Sequence, residues 1–211
     1  MLRFLNFKKS YGNYTALNIS EFNIATGIYW VKGANGSGKS TLLKSIAGIL
    51  AFDGNIILHE TRSLKKTPTA YRKLVNFAEA EPLFPEFLTG KEMVDLFLYT
   101  KDAPPNQEQY FIETMKMEPF INRPLGAYSS GMLKKLSLVL AFIGNPQLIL
   151  LDEPLITLDT ESLNILYEWI LLSNQQHGTS FILSSHQNLD EDKLSMAKNI
   201  SVEMQTLKMD S

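Results

Sequence analysis

The segment that most constrains this chain is residues 33–41, which reads Gly-Ala-Asn-Gly-Ser-Gly-Lys-Ser-Thr. It matches the pattern G-x-x-x-x-G-K-[ST], in which a glycine-rich loop wraps a row of phosphates with inward-pointing backbone N–H groups. Residues 28–31 before it form a short apolar run typical of a buried strand, and the residues after it have helical periodicity. A glycine-rich turn that carries a lysine by chance is the alternative, and these flanks favour the phosphate loop.

The pattern predicts a role for each polar group of the loop. The helix after the loop presents its positive N-terminal end to the phosphates. Lys39 is expected to reach the β- and γ-phosphates, and the Ser40 hydroxyl is expected to hold Mg²⁺. The residues predicted to bind the nucleotide in this segment are Gly33, Asn35, Gly36, Ser37, Gly38, Lys39, Ser40 and Thr41.

Composition narrows the class of partner. The 20 basic and 22 acidic side chains leave a net charge of −2, so no overall field attracts the chain to nucleic acid or anionic lipid. The absence of cysteine excludes disulfides, thiolate metal sites and a cysteine nucleophile. No run approaches the roughly 18 apolar residues of a membrane span. A function at a membrane would therefore need another chain to supply the membrane part.

The N-terminal segment, residues 1–32, reads as a series of short strands with a turn signal at Gly12-Asn13. This indicates an antiparallel β region ahead of the phosphate loop. Tyr11 stands beside the turn, where its ring can stack on a nucleobase, although a loop tyrosine more often serves packing. The residues alone leave both interpretations open.

The middle of the chain predicts a helical insertion. The pattern weakens over residues 61–89, where three prolines disfavour a long helix, and residues 73–78 within it read as a buried strand. Apolar residues then recur at three- and four-residue intervals in residues 90–100 and 106–117. We expect these two helices to form a lobe inserted into an α/β core.

Two acids follow an apolar run, residues 147–151, that reads as a strand buried in a parallel sheet. Carboxylates at the carboxyl end of such a strand lie at the edge where ligands bind in open α/β folds. Asp152 would complete a Mg²⁺ site with Ser40, and Glu153 would polarise a water for attack on the γ-phosphate. Two solvated acids after a strand are the alternative, which the nearby phosphate loop disfavours.

Two further polar groups have two interpretations each. Ser129, Ser130 and Gly131 open a long helix, where they form either an N-cap or an anion site of N–H groups and hydroxyls. Taken alone, the cap is the commoner arrangement. His186 follows a predicted strand over residues 179–184. A lone histidine there is usually incidental, but as the third polar group at one sheet edge it is interpreted as a contact to the γ-phosphate.

These motifs together resemble the nucleotide-binding subunit of ATP-binding cassette (ABC) transporters over essentially the whole chain. Residues 33–41 resemble the Walker A motif, and residues 148–153 resemble Walker B followed by the catalytic glutamate. The most diagnostic segment, Tyr128-Ser129-Ser130-Gly131-Met132, is similar to the family's signature motif in a Tyr-Ser-x-Gly-Met variant. Leu158-Asp159 resembles the D-loop, His186 the switch histidine, and Tyr11 the aromatic residue that stacks on adenine.

The resemblance implies an α/β fold: a P-loop NTPase core with a parallel sheet, an N-terminal antiparallel β subdomain and an inserted helical subdomain. Residues 1–211 would form a single cassette, with the helical subdomain at roughly residues 86–145.

The resemblance also implies ATP as the ligand and Mg²⁺ as the cofactor, held by Ser40 and Asp152. Two cassettes, expected as a homodimer, pack head to tail, so that each ATP lies between the Walker A loop of one copy and the signature motif of the other. Glu153, His186 and Lys39 are the implied catalytic residues; Tyr11, Ser129, Ser130 and Gly131 are the implied nucleotide contacts outside the loop. Dimer closure and opening would drive a transmembrane permease subunit from the cytoplasm, at the inner face of the cell membrane.

One position departs from the family pattern. The family usually has a glutamine after the strand near Phe77, and ungapped alignment places Ala80 there. Glu79 and Glu81 are its neighbours and are candidates to replace it.

The sequence also allows other functions. A soluble ABC-type ATPase that acts on nucleic acid or ribosomes is the main alternative, but such proteins usually carry two fused cassettes or a long coiled-coil insertion. A P-loop kinase would give Ser129 and His186 no role, and a cassette that only binds ATP would not need Glu153. We therefore expect a transporter ATPase, with no nucleic acid among its partners.

Overall fold

The computed structural model describes residues 1–185 and 193–210. Its N-terminal part forms an antiparallel sheet. The strands of this sheet are β1 (Leu2–Tyr11), β2 (Tyr14–Ile24), β4 (Asp53–Leu58) and β5 (Arg62–Ser63). They lie in the order β2-β1-β4-β5. β1 and β2 form a hairpin whose turn contains Gly12, with a φ of +57°. The antiparallel pairing predicted for residues 1–32 is therefore confirmed for β1 and β2, whereas residues 28–32 join the parallel sheet.

The second sheet is mainly parallel. Its strands are β3 (Ile28–Lys32), β6 (Val75–Ala78), β7 (Leu148–Asp152), β8 (Ser180–Ser184), β9 (Lys198–Glu203) and β10 (Thr206–Met209). They lie in the order β10-β9-β3-β8-β7-β6, and β10 runs antiparallel to β9. Because β3, β6, β7 and β8 run in the same direction, the loops that follow them meet at one edge of the sheet, where ligands bind in open α/β folds.

Both faces of the parallel sheet are buried. Tyr29 and Val31 of β3 belong to a core cluster shared with the antiparallel sheet and the helix after the phosphate loop. Ile28 and Trp30, which alternate with them, belong to a second cluster on the opposite face. Side chains of a strand point alternately to the two faces, so burial on both faces explains why this strand reads as an uninterrupted apolar run.

Helices cover these two faces. They are α1 (Lys39–Ile46), α2 (Pro68–Leu74), α3 (Gly90–Thr100), α4 (Gln107–Thr114), α5 (Ser130–Phe142) and α6 (Thr160–His177). In the described ranges, no helix is both long enough and apolar enough to cross a membrane. α3, α4 and α5 lie between β6 and β7 in the chain, so the α/β core with helices inserted into it is as the sequence predicted.

The cap of α3 shows why that helix was predictable. Thr89 Oγ1 accepts from the Glu92 N–H at 3.2 Å, and Glu92 Oε2 accepts from the Thr89 N–H at 2.7 Å. This reciprocal capping box satisfies two backbone donors that the helix itself cannot. The helix therefore begins at Gly90, where the apolar periodicity begins.

The structure adds elements that the pattern did not indicate. Residues 73–78 were expected to be a strand, but the first two of them close α2, and β6 begins at Val75. Pro68 occupies the first turn of α2, where its missing N–H costs nothing, so it starts the short helix instead of preventing one. The β9–β10 hairpin at the end of the described chain was not predicted.

Candidate functional site

The loop between β3 and α1 has a backbone that suits glycine. Gly36 and Gly38 have φ values of +76° and +106°, in a region that disfavours L side chains. A Cβ on Gly33 would lie 2.6 Å from Ser37 Oγ and 2.9 Å from Val202 O. The loop thus passes too close to its neighbours for a side chain at Gly33, and the glycine pattern has a steric cause.

The loop also leaves donors available for an anion. Ser37 Oγ is buried and has no hydrogen-bond partner in the described part of the protein. α1 begins after Gly38, which offers no capping side chain to the first N–H groups of the helix. Helix N-termini without such a cap bind phosphate through these N–H groups. Both observations fit a phosphate chain in this loop.

The Lys39 side chain folds back over the loop. Its Nζ donates to Gly33 O at 2.7 Å and to Ala34 O at 3.1 Å, and the residue is 5% exposed. Burial lowers the pKa of Lys39, and the negative charges of Glu153 and Asp152 partly offset this shift. The ammonium therefore lies within the field of the two predicted acids.

The predicted Ser40–Asp152 pair is in direct contact. Asp152 ends β7 and is the register partner of Ser184 at the end of β8. Its Oδ1 accepts from Ser184 Oγ at 2.5 Å and from Ser40 Oγ at 3.1 Å. Carboxylate and hydroxyl oxygens are hard ligands of the kind that Mg²⁺ prefers. The donor set therefore fits the ion predicted from the sequence.

Glu153 has a constrained position next to this pair. It is 7% exposed and has a φ of +46°, and its N–H donates to Ser184 O at 3.0 Å. A non-glycine residue with positive φ is uncommon, and such backbone conformations concentrate at functional sites. β8 thus fixes the backbone of the residue predicted to act as the base.

Tyr11 lies beside the first turn of α1. Its Oη is 3.4 Å from Thr41 Oγ1, and the side chain is half-exposed. The Lys9 ammonium lies 4.7 Å from the centre of the ring, a cation–π distance. The structure therefore places an accessible aromatic ring next to the phosphate loop, which fits the predicted stacking of a base.

The signature segment lies apart from this loop. Ser129 caps α5, because its Oγ accepts from the Met132 N–H at 3.3 Å, as the simpler interpretation of the sequence expected. Ser129 and Ser130 are exposed, and no hydrogen bond within residues 1–185 and 193–210 links them to the phosphate loop. A Cβ on Gly131 would meet Thr157 O at 3.2 Å. Within one chain the segment is a capped helix tip.

The remaining predicted positions differ in what the structure describes. His186 lies outside the described residues. Asp159 caps α6 by accepting from the Ser162 N–H at 2.8 Å. This hydrogen bond, with smaller contributions from the Ser162 side chain and Lys135, lowers the pKa of Asp159 to about 2. Lys135 of α5 lies 3.3 Å from the same carboxylate. The D-loop candidate is therefore tied to the signature helix.

The two candidates for the missing glutamine also differ. The Glu79 carboxylate forms an ion pair with Lys44 of α1, on the same helix as Ser40, whereas Glu81 is exposed. Residues three to four apart share one face of a helix, so Lys44 lies one turn beyond Ser40. The structure thus holds Glu79 near α1 through a lysine.

Two residues at the site were missed by the sequence analysis. Ser184 donates to the Asp152 carboxylate, as described above; the predicted strand over residues 179–184 ended at this serine and was the available signal. Lys134 of α5 donates to the Asp152 carbonyl at 3.0 Å. A lysine on a helix usually indicates a solvated face, so nothing in the sequence pointed to a buried contact.

Comparison with known proteins places the chain among ATP-binding cassettes. The sequence model described as ABC transporter matches residues 17–156. Cytochrome c biogenesis ATP-binding export protein CcmA of Legionella pneumophila is 33% identical over 199 residues, which cover 92% of this chain and 96% of that protein. Lantibiotic transport ATP-binding protein SrtF of Streptococcus pyogenes is 30% identical over 187 residues, 88% of this chain and 80% of that protein.

Solved structures agree on the fold. An ATP-binding subunit of an ABC transporter superposes with a TM-score of 0.86 at 23% identity, over 99% of this chain and 88% of that one. The dimeric ATP-binding cassette MJ0796, in a post-hydrolysis state bound to ADP and phosphate, superposes with a TM-score of 0.83 at 20% identity, over 100% of this chain and 98% of that one.

Proposed function

The chain belongs to the ABC transporter family as an ATP-binding ATPase subunit, and we propose that two copies hydrolyse ATP between them to drive a membrane partner. The observation that carries the proposal is the meeting of distant residues at one sheet edge. Ser40 of α1 donates to Asp152 of β7. The negative charges of Glu153 and Asp152 raise the pKa of Lys39 and partly offset the larger effect of burial, which lowers it. One chain therefore brings together a hydroxyl, two acids and a lysine that could contact one side of a bound triphosphate.

Each residue of this half-site has a distinct task. Mg²⁺, held by Ser40 and Asp152, would neutralise charge on the phosphates. Lys39 would turn from the carbonyls of its own loop to the β- and γ-phosphates. Glu153 would accept a proton from a water whose oxygen forms a bond to the γ-phosphorus, while the bond from that phosphorus to the bridging oxygen breaks and ADP leaves. Tyr11 would stack on the adenine ring.

The second half of the site would come from a second copy. Ser129, Ser130 and Gly131 are at an exposed helix tip, and such a tip binds anions through its N–H groups and dipole. We propose that the tip of one copy covers the γ-phosphate bound by the other, and that His186 adds a contact there. The dimeric MJ0796 cassette, which has the same fold, supports a paired arrangement.

The proposed partner is a transmembrane permease subunit, reached from the cytoplasm at the inner face of the membrane. Relatives named for lantibiotic transport and for cytochrome c biogenesis export support a transport role. The alternative of a soluble ATPase that acts on nucleic acid or ribosomes has no support in the family match or in these relatives. Residues 1–211 are proposed to be one cassette, with the helical subdomain at residues 86–145.

Substitution of the proposed base tests this function. Glu153→Gln removes the proton acceptor but keeps the size of the side chain, so turnover should fall by roughly 10²–10⁴-fold. ATP binding should persist, and with ATP and Mg²⁺ the variant should elute as a dimer in size-exclusion chromatography. Glu161→Gln, which changes an exposed acid on α6, is the control and should behave as wild type. A Glu153→Gln variant that stays monomeric with ATP and Mg²⁺ contradicts the paired site.

A further inference from the structure

Lys134 is a buried lysine in the second turn of α5. The residue is 1% exposed, and burying an ammonium is costly unless its donors are satisfied. An ammonium has three N–H donors, and Lys134 Nζ has three acceptors: Glu79 O at 3.0 Å, Ala80 O at 3.3 Å and Asp152 O at 3.0 Å. All three acceptors are backbone carbonyls, so the side chain of Lys134 fixes the position of the backbone at these residues.

Lys134 binds these carbonyls at the point where the hydrogen-bond ladder between β6 and β7 ends. The β6–β7 ladder ends with the pair Ala78 and Leu151. The carbonyls that Lys134 binds belong to the next residues of both strands, Glu79-Ala80 after β6 and Asp152 at the end of β7. Lys134 therefore joins two strand ends that no longer bond to each other, just where the acids of the site begin.

The side chain and the backbone of Asp152 have different hydrogen-bond partners. Its carboxylate accepts from Ser40 and Ser184, whereas its carbonyl accepts from Lys134. Burial lowers the pKa of Lys134 to about 8, and the charges of Asp152, Glu153 and Glu79 partly oppose this shift. The lysine thus lies within the field of the acids of the site, while its three hydrogen bonds go to backbone carbonyls.

The helix that carries Lys134 also carries the signature tip. Ser129 caps α5 and Ser130 is its first residue, about one turn before Lys134. Any shift or tilt of this tip moves Lys134, because a helix is a rigid element over so short a distance. The movement then reaches the Asp152 carbonyl and the loop at Ala80, where the family usually has a glutamine.

We propose that Lys134 is a positioning residue that couples the two nucleotide sites of the cassette dimer. It joins the α5 tip, which covers the ATP of the second copy, to the end of β7, which carries Asp152 and Glu153 for the ATP of its own copy. The coupling rests on the proposed function, because it requires that α5 contacts a second nucleotide. It adds a connection within each chain through which occupation of one site aligns the acids of the other.

Lys101 offers a matched control for a lysine with a purely structural role. Its Nζ donates to Arg72 O at 2.5 Å and to Val75 O at 3.1 Å, and burial lowers its pKa to about 8. It therefore makes the same kind of contact, from the C-cap residue of α3 to backbone carbonyls near β6. Val75 begins β6, so Lys101 acts at the end of the strand opposite to the site.

The experiment compares Lys134→Met with Lys101→Met in the full chain. Three quantities are measured: steady-state ATP hydrolysis as a function of ATP concentration, MANT-ATP affinity at protein concentrations that keep the chain monomeric, and the unfolding midpoint. Lys134→Met should lower kcat by about tenfold to a hundredfold, as expected for misplaced catalytic groups. Because the two sites are proposed to be coupled, the wild-type rate should depend sigmoidally on ATP concentration. Lys134→Met should abolish this sigmoidal dependence and leave MANT-ATP affinity within about twofold of wild type. Lys101→Met should lower the unfolding midpoint without changing kcat.

Further variants separate positioning from stability. Lys134→Arg keeps the charge and N–H donors, so it should retain more turnover than Lys134→Met. If Lys134→Met does not fold, Lys134→Gln takes its place, because it keeps two N–H donors but loses the charge and one donor. It should show a smaller loss of kcat at unchanged affinity. A kcat for the Lys134 variant that matches Lys101→Met, or a loss of affinity as large as the loss of kcat, overturns the coupling proposal while the proposed function stands. A wild-type chain that neither hydrolyses ATP nor dimerises overturns both.

Discussion

The phosphate loop and the tip of α5 both lie at helix N-termini, but they differ in whether a side chain caps the first backbone N–H groups of the helix. α1 follows Gly38 and has no capping side chain, and the buried Ser37 hydroxyl nearby has no partner among the described residues. α5 follows Ser129, whose hydroxyl accepts from the Met132 N–H. The first N–H groups of α1 are therefore available to a ligand, whereas one N–H group of α5 already donates to its own capping serine.

This difference fits the proposal that the site is divided between two copies. The phosphate-loop half is assembled in one chain, because the parallel sheet brings Ser40, Asp152 and Lys39 together. The α5 half is a capped, exposed tip, and no hydrogen bond among the described residues links it to the phosphate loop. Variants of the first-half residues that hold the phosphates or the base, Lys39 and Tyr11, should therefore weaken nucleotide binding. Variants of the second half should lower turnover without weakening the nucleotide affinity of the monomer.

Lys39→Ala should have the largest effect of the variants that test this difference. It removes the ammonium that lies over the loop, so it should lower turnover by roughly 10²–10³-fold and weaken nucleotide binding as well. Lys8→Ala, at an exposed position of β1, is the control and should retain both. Activity and MANT-ATP titration measure the two effects, and an unchanged rate for Lys39→Ala would remove the central assignment.

Tyr11→Ala should have the second largest effect and belongs to the same half. Stacking of a base on an aromatic ring contributes about 1–3 kcal/mol, so nucleotide affinity should fall by about 5–150-fold, measured by MANT-ATP titration. Tyr11→Phe keeps the ring but loses the contact to Thr41, and it should bind nearly as wild type. Equal losses in both variants would mean that the hydroxyl, and not the ring, matters.

Ser129→Ala should have the smallest effect, and it tests the second half. Turnover should fall by about tenfold while the monomer's nucleotide affinity changes by less than about twofold. Loss of the cap should also cost about 1 kcal/mol of stability. Ser129→Asp separates the two effects, because Asp is an equally good cap but repels phosphate. It should keep stability and still lose turnover; loss of nucleotide affinity in either variant would favour a site within one chain.

The fold was predictable where burial imposed a periodic pattern. β3 and β7 are covered on both faces, so they read as unbroken apolar runs, and α3 carries a capping box that marks its start. α2 was missed because Pro68 was interpreted as a helix breaker, although the first turn of a helix accepts proline. Seven residues also give too short a window for helical periodicity to be clear.

The site was predictable where motif spacing fixes the chemistry, as in the phosphate loop and the two acids. Its support was not predictable, because it depends on contacts between residues far apart in the chain. Lys134 looks like a surface lysine until α5 packs against β6 and β7, and only that packing brings its ammonium to the Asp152 carbonyl. The Lys44–Glu79 ion pair has the same origin.

The position of β3 has a consequence for how the chain matures during synthesis. β3 lies between β8 and β9, which come from the last part of the described chain. When a ribosome has synthesised only about the first 175 residues, β3 and the whole Walker A segment exist, but β8 and β9, which flank β3 in the sheet, do not. Pairings between strands so distant in sequence also form slowly. Nascent chains truncated before β8 should therefore fail to retain ATP, so nucleotide capture is one of the last abilities that the growing polypeptide acquires.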